Sequence, residues 1–306
     1  MTDLITANNK LTLPTKIFLH CLMTDNENSW TAEISSRNSM WRLNLTELVR
    51  YRDLIFLLVK RDFSATYKQT ILGPIWLFLQ PVLTTIIFFF VFTKIAKIPT
   101  AGIDPVLFYL AGITLWNYFS DCLLKTSNTF VANAHIFGKV YFPRLVIPLA
   151  VVLSNLIKFG VQLLVFIVVL IYKIIFDGLI ISINSTLFLF PVLVIILAIL
   201  GLGMGILFSA LTTKYRDFSF LLAFGIQLAM YATPIIYPLS YAKGNLHYWL
   251  SVNPLTAIVE NFKFMLFGIG AFDFVGLVYA FLVALFFLIL GILFFNRVEK
   301  GFMDTV

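Results

Sequence analysis

Six stretches of the chain are apolar over about the 20 residues that a helix needs to cross a bilayer core of about 30 Å. They lie at roughly 71–93, 105–124, 146–172, 187–211, 218–239 and 274–295. A seventh apolar region, 246–270, is interrupted by Asn253-Pro254 and carries Glu260. We expect it to form two short outer re-entrant helices rather than a span. The pattern predicts an all-α integral membrane protein with six transmembrane helices.

A shorter amphipathic pattern precedes the first predicted span. Between 44 and 63, Leu48, Ile55, Val59 and Phe63 fall on one helical stripe. Four cationic side chains accompany the stripe and can reach lipid headgroups: Arg50, Arg52, Lys60 and Arg61. This pattern predicts an interface helix on the cytoplasmic membrane surface, which serves as a plain anchor or also contacts a cytoplasmic partner.

Charge and composition narrow the class of protein. The chain has 60% hydrophobic and 12% charged residues, against about 45–50% and about 25% in soluble domains. This composition excludes an ordinary soluble enzyme and a nucleic-acid-binding domain. Most Lys and Arg residues fall in segments that are cytoplasmic if the N-terminus is inside. We therefore expect both termini to be cytoplasmic, with 1–43 as a polar extension and 44–306 as the transmembrane domain.

Two predicted cytoplasmic segments are candidates for binding a partner. The loop 125–145 is too apolar for a solvated linker, so it marks a docking site or a loop folded onto the membrane. Its apolar residues are Phe130, Val131, Ile136, Phe137, Val140, Tyr141 and Phe142. The short turn Lys214-Tyr215-Arg216-Asp217 follows the fourth predicted span and is a second possible contact, or an ordinary interfacial anchor.

Candidate chemistry inside the predicted bundle is sparse. Lys158 is a mid-span charge, which indicates a functional or a structural ion pair, with Asp121 as one partner to consider. Gly138-Lys139 lacks the remaining residues of a phosphate-binding loop. We therefore expect no cofactor in this chain, and ATP and Mg²⁺ would be held by a separate protein. His20, His135 and His247 lie in three separate regions, so we expect no metal site either. Gly201, Gly205 and Ser209 form a small-residue face that predicts close helix packing.

Two stripes mix aromatic rings with polar groups, as a surface for sugar rings would. The first predicted span carries Trp76, Gln80, Thr84 and Phe88 at steps of four residues. The fifth carries Phe220, Phe224, Gln227 and Tyr231 at steps of four, three and four. Lipid-facing aromatic residues and helix packing are the alternative interpretation, although the two glutamines argue against purely lipid-facing stripes.

Several segments together resemble the permeases of ABC-2 type polysaccharide exporters over roughly residues 41–306. The resemblance is carried by YKQTILGPIW at 67–76 with Gln80-Pro81, KVYFPR at 139–144, Tyr215-Arg216-Asp217 and Asn253-Pro254. It implies a homodimer in the bacterial inner membrane, paired with two copies of a cytoplasmic ABC ATPase. Its substrate would be a lipid-linked polysaccharide such as O-antigen, a capsule-type glycan or teichoic acid.

The same resemblance assigns roles to residues. The loop 133–144 would be the ATPase-coupling element, with Asn133, Phe137, Lys139, Tyr141, Phe142, Pro143 and Arg144. The interface helix would border the entry of the substrate, and the two stripes would line the pathway. Three alternatives stay open: an ABC-2 exporter of a drug or small lipid, a glycan-transfer enzyme using Glu260 and Asp273, and an ion-coupled carrier using Lys158.

Overall fold

The computed structural model describes residues 45–67, 73–137, 142–179 and 184–299, which are helical and contain no β-strand. The α-helices are α1 (Leu45–Arg50), α2 (Arg52–Tyr67), α3 (Trp76–Phe88), α4 (Pro105–Ser127), α5 (Thr129–Ala132), α6 (Ala134–Phe137), α7 (Val146–Asp177), α8 (Phe190–Lys214), α9 (Phe218–Tyr231), α10 (Asn245–Val252), α11 (Pro254–Phe267) and α12 (Phe274–Glu299). A 3₁₀ turn, Gly73–Ile75, precedes α3, and others lie at Ser185–Leu189 and Leu239–Tyr241. The predicted extension 1–43 lies outside the described residues.

Four helical segments are long and apolar enough to cross a membrane. They are Trp76–Ile95, Val146–Asp177, Ser185–Lys214 and Phe274–Phe295. They coincide with the first, third, fourth and sixth predicted spans. The apolar pattern therefore locates these four helices within a few residues, because hydropathy summed over a long helix is a strong signal.

The second and fifth predicted spans differ from these four. The helix α4 has 23 residues, but polar side chains such as Asn117 and Asp121 lower its hydropathy. Most of its residues are buried against other helices, so packing rather than lipid surrounds it. The helix α9 ends at Tyr231, eight residues before the predicted end at 239, because Thr233-Pro234 cannot continue a helix easily. As transmembrane spans, both remain predictions.

The first span contains an unexpected irregularity. We expect Pro81 to break a helix, yet α3 runs through it from Trp76 to Phe88. The side chain of Thr85 donates to the Pro81 carbonyl at 2.7 Å. The helix then widens into a π-helix, Phe89–Ile95. Proline lacks an N–H, so the carbonyl of Leu77, four residues earlier, loses its usual helical partner. Apolar helices tolerate such an interior proline through local adjustments of the backbone.

The small-residue pattern on α8 produces close packing on two sides. A Cβ on Gly201 would lie 2.8 Å from Cβ of Cys122, and one on Gly205 would lie 2.6 Å from Cβ of Thr126, both on α4. On the other side, a Cβ on Gly203 would lie 2.5 Å from the backbone nitrogen of Leu288 on α12. The predicted packing role of Gly201 and Gly205 is thus confirmed, and α8 lies between α4 and α12.

The region 246–270 forms two helices, α10 and α11, which are separated at Asn253 as the sequence predicts. The side chain of Asn253 accepts a hydrogen bond from the Leu255 nitrogen at 3.1 Å, and Pro254 occupies the first helical turn. This is a standard helix start. The helix α11 ends at Gly268, which has φ 67°. Insertion of this helix pair into the outer membrane interface remains a prediction.

Candidate functional site

The interface helix packs onto the start of α7 and onto the loop between α4 and α7. Ile55, Leu58 and Val59 of α2 are buried in one cluster with Phe130 and Phe142 of that loop. The predicted apolar stripe therefore faces the protein interior. Because the same cluster includes the first turns of α7, α2, the loop and α7 form a continuous packed unit.

The cationic residues of α1 and α2 point in two directions. Arg50, Arg52 and Lys60 are exposed, and Arg52 forms a long ion pair with Asp53 at 3.8 Å. Arg61 instead lies partly inside. Its guanidinium bonds the Asp62 carboxylate at 2.7 Å and donates to the side-chain oxygen of Asn133 at 3.2 Å. The loop and the interface helix are thus connected by polar contacts as well as by apolar packing.

The predicted cytoplasmic loop 125–145, which includes the coupling element 133–144, is more buried than its sequence suggests. It contains α5 and α6, which flank Asn133, and Phe130 and Phe142 are buried beneath α2. Val131 is 52% exposed. Phe130 and Phe142 are therefore available neither to a partner nor to the membrane, because the chain's own interface helix covers them. Val131 is thus an exposed apolar residue of this loop for a partner to contact.

Three other predicted coupling residues, Phe137, Pro143 and Arg144, lie within the described residues. Phe137 ends α6, and Lys139 and Tyr141 lie outside the described residues. The carbonyl of Pro143 accepts a hydrogen bond from the Val146 nitrogen at 3.0 Å, so it belongs to the turn that starts α7. Arg144 is partly buried in that turn.

The second predicted contact is an exposed turn. Lys214, Tyr215, Arg216 and Asp217 are all exposed, and the Lys214 ammonium lies 5.2 Å from the centre of the Tyr215 ring. One turn earlier, the buried hydroxyl of Thr212 donates to the carbonyl of Ser127 at the end of α4. This bond anchors the α8–α9 turn beside the α4–α7 loop. The two predicted partner contacts therefore lie at the same end of the bundle.

The intramembrane charge Lys158 has a partner. Its ammonium lies 2.6 Å from a carboxylate oxygen of Asp121, so α7 and α4 are joined by an ion pair. Their side chains are 17% and 24% exposed. The pairing with Asp121 that the sequence suggested is therefore present. The pair supports a structural role for Lys158 over an ion-coupled carrier.

The two aromatic-polar stripes differ in how many of their residues are exposed. Phe220, Phe224, Gln227 and Tyr231 are all exposed on one face of α9. On α3, Trp76 and Gln80 are exposed and Thr84 is half-buried, but Phe88 is buried against the Tyr109 ring. A helix turns about 100° per residue, so three steps of four rotate Phe88 about 120° from Trp76. Phe88 therefore does not share the surface of its predicted stripe.

The helix pair α10 and α11 is fixed to the bundle by polar contacts. The amide of Asn253 donates to the carbonyl of Ala232 at 3.1 Å and to the hydroxyl of Thr233 at 3.0 Å. Glu260 lies 3.3 Å from the ammonium of Lys263. Asp273 accepts from the Gly276 nitrogen at 2.7 Å, at the start of α12. Glu260 and Asp273 thus make structural contacts, which weakens the glycan-transfer alternative.

Lys263 is a residue whose role sequence reasoning missed. It is almost fully buried on α11 and donates to the carbonyl of Pro234 at 2.6 Å. Its ammonium also lies 3.8 Å from the centre of the Phe108 ring on α4. Burial lowers the pKa of Lys263 to about 8, against the opposing effect of Glu260. The available signal was a lysine three residues after Glu260 within a mainly apolar helix.

Comparison with known proteins identifies the family. Residues 53–267 match the ABC-2 type transporter family. The O-antigen export system permease protein RfbA of Klebsiella pneumoniae is 27% identical over 255 residues, which cover 83% of this chain and 95% of that protein. The protein of the same name from Myxococcus xanthus is 27% identical over 221 residues, or 71% and 81% of the two chains. Since the family match includes most of the chain, this protein belongs to the ABC-2 type transporters.

Proposed function

We propose that this chain is the membrane-spanning permease subunit of an ATP-driven exporter for a lipid-linked polysaccharide of the O-antigen, capsule or teichoic acid type. The observation that carries the proposal is the similarity over 83% of the chain to relatives named as O-antigen export permeases. The substrate would move from the cytoplasm across the bacterial inner membrane. Six spans, cytoplasmic termini and an outer re-entrant helix pair are the topology that we assign to it.

The driving energy would come from a separate ABC ATPase that binds the shared end of the bundle. Exposed Val131 and the turn at Lys214–Asp217 offer it an apolar and a charged contact. ATP binding would close two ATPase subunits against the two permeases of a homodimer. Motion of the loop would reach α2 and α7 through the packed Phe130–Phe142 cluster and the Arg61–Asn133 bond.

The translocation pathway would form between the two permease copies. The exposed face of α9 with Phe220, Phe224, Gln227 and Tyr231 supports this placement, because it combines rings with a polar side chain. Trp76 and Gln80 on α3 add a second exposed surface of the same kind. Aromatic rings can stack on the apolar faces of sugars, and the polar groups can exchange hydrogen bonds with sugar hydroxyls.

The first test is purification of the tagged chain from its native membrane in a mild detergent. We expect a protein with a phosphate-binding loop to copurify at about one copy per permease. The Val131→Asp variant should lose most of that partner, because a charge replaces an exposed apolar contact. Tyr248→Asp is the matched control, since Tyr248 is also exposed but lies on α10. A pure permease without any ATPase would contradict the proposal.

The substrate is tested in cells that lack this chain. We expect them to accumulate a lipid-linked polysaccharide on the cytoplasmic side of the inner membrane, and the wild-type gene should restore its export. Normal polysaccharide export in the deletion strain, with an altered drug or lipid content instead, would move the assignment to a small-molecule ABC-2 exporter.

A further inference from the structure

The chain leaves the helical conformation after α9 and yet stays inside the protein. The helix α9 has 14 residues, or about 21 Å, and is therefore shorter than a bilayer core of about 30 Å. In the proposed topology, the non-helical segment 232–238 completes this crossing. Its residues Thr233, Ile235 and Ile236 are buried. Because non-helical backbone is tolerated at membrane depth only where its polar groups are satisfied, the carbonyls of this segment need partners within the protein.

Side chains of α11 and of the residue before it provide these partners. The Asn253 amide donates to the carbonyl of Ala232 at 3.1 Å and to the hydroxyl of Thr233 at 3.0 Å. The Lys263 ammonium donates to the carbonyl of Pro234 at 2.6 Å. Among the described residues, no backbone N–H donates to that carbonyl. The lysine therefore satisfies a carbonyl just beyond the end of α9, as basic side chains do near the C-termini of helices.

The ammonium of Lys263 adds something that an apolar side chain of the same length would not. Burying an ammonium is costly unless its charge is compensated. Here a Glu260 carboxylate oxygen lies 3.3 Å away and the centre of the Phe108 ring 3.8 Å away. A methionine would fill similar space without that cost. The distinct contribution of Lys263 is thus the directed bond to the Pro234 carbonyl, which joins α11 to the end of α9.

The rest of α9 is held by little packing. Two of its 14 residues, Leu222 and Ile226, are buried. Its exposed stripe of aromatic and polar residues ends at Tyr231, three residues before Pro234. The Tyr231 carbonyl itself accepts a hydrogen bond from the Tyr237 hydroxyl at 2.9 Å. The position of Tyr231 therefore depends on the bonds that fix the segment 232–238.

We propose that Lys263 is a positioning residue for translocation, which holds Tyr231 at the end of the pathway stripe by binding the Pro234 carbonyl. The inference rests on the proposed function, since it takes α9 as part of the pathway. Through this bond the end of α9 and α11 move together. Loss of the bond should release the segment 232–238 while the long helices stay packed, because α8 meets α4 and α12 through its own glycines.

The first measurement is amide hydrogen exchange of the purified full-length chain, followed by mass spectrometry in one detergent. In Lys263→Met, we expect peptides that cover 232–238 to exchange at least about tenfold faster than in the wild type, because a buried carbonyl loses its donor. Peptides from α7 and α8 should exchange as in the wild type. Lys263→Arg keeps a cation and N–H donors beside the Phe108 ring, so its exchange should stay within about threefold of the wild type.

Lys243→Met is the matched control, because Lys243 is exposed in the segment before α10 and its loss changes the net charge equally. Its exchange at 232–238 should equal that of the wild type. Wild-type exchange in Lys263→Met, or exchange in Lys263→Arg as fast as in Lys263→Met, would overturn the proposal.

Asn253→Ser tests the same segment with Lys263 in place. Serine keeps an oxygen that can start α11, but it removes the amide that donates to Ala232 and Thr233. We expect faster exchange of the same peptides. If Lys263→Met does not fold, this variant decides the result, and unchanged exchange in Asn253→Ser would overturn the proposal.

The second measurement separates positioning from general stability. In cells that lack the chain, Lys263→Met should restore at most about a fifth of wild-type polysaccharide export at equal permease level. The ATPase should copurify with it as with the wild type. Wild-type export by Lys263→Met would overturn the role in translocation. If the wild-type gene itself restores no polysaccharide export, the proposed function fails, whereas hydrogen exchange still decides whether Lys263 positions the end of α9.

Discussion

Arg61 on α2 donates a hydrogen bond to the side-chain oxygen of Asn133, 3.2 Å away and 72 residues later in the chain. The Asn133 amide in turn donates to the carbonyl of Thr129 at 3.0 Å, at the start of α5. A side chain of the interface helix is thus bonded directly to the loop that we assign to ATPase coupling. Movement of that loop would therefore act on the interface helix without passing through the lipid.

This contact predicts energetic coupling between Arg61 and Asn133. In a double-mutant cycle with Arg61→Met and Asn133→Ala, we expect an interaction energy of about 0.5–3 kcal/mol. The measurement is the unfolding free energy of the four proteins in one detergent. Losses that add to within about 0.5 kcal/mol would show that the contact contributes no coupling.

The close approach of α8 and α12 predicts a strict size limit at Gly203. In Gly203→Ala, the new methyl group would lie 2.5 Å from the Leu288 backbone nitrogen. The helices must move apart, and we expect a loss of about 1–3 kcal/mol in stability. Gly160→Ala is the control, because a Cβ at Gly160 meets no atom within 4 Å. Thermal unfolding should distinguish them, and equal midpoints would contradict the packing described for α8.

The Lys158–Asp121 pair predicts that removing either charge alone destabilises the fold. Lys158→Met or Asp121→Asn should lower the unfolding free energy by about 2 kcal/mol, because the remaining charge is poorly solvated. The double variant should be more stable than either single variant. A double variant that shows the sum of both losses would argue that each residue acts through separate contacts.

Lys263 predicts a dependence of stability on pH. Its folded-state pKa of about 8 lies below the ordinary value of 10.5, so the unfolded chain binds more protons between these values. Stability from this group should therefore rise from about pH 8 to about pH 10. Across this range the thermal midpoint of the wild type should rise relative to that of Lys263→Met, in which the group is absent. Parallel pH profiles of the two proteins would rule out the effect.

Several site features were predictable because they depend on local periodicity. The stripe on α9 keeps its register, since steps of four, three and four return Tyr231 to within about 20° of Phe220. The stripe on α3 fails at Phe88 for the same geometric reason, which the sequence already contained. The break at Asn253-Pro254 was predictable because proline favours the first helical turn.

Other features required the folded chain. Whether Phe142 is exposed depends on where α2 lies, and nothing near residue 142 in the sequence specifies that. The same applies to the pairing of Lys158 with Asp121 across 37 residues, and to the burial of Lys263 under Phe108 and Pro234.

The sequence by itself determined the class of protein, four long apolar helices and the amphipathic character of the interface helix. These properties follow from how many apolar residues occur in succession and with which period, and each helix expresses them independently. Tertiary structure decided which polar residues meet and which apolar loop residues are covered. Such contacts depend on the relative position of helices far apart in the chain, and only packing of the bundle sets that position.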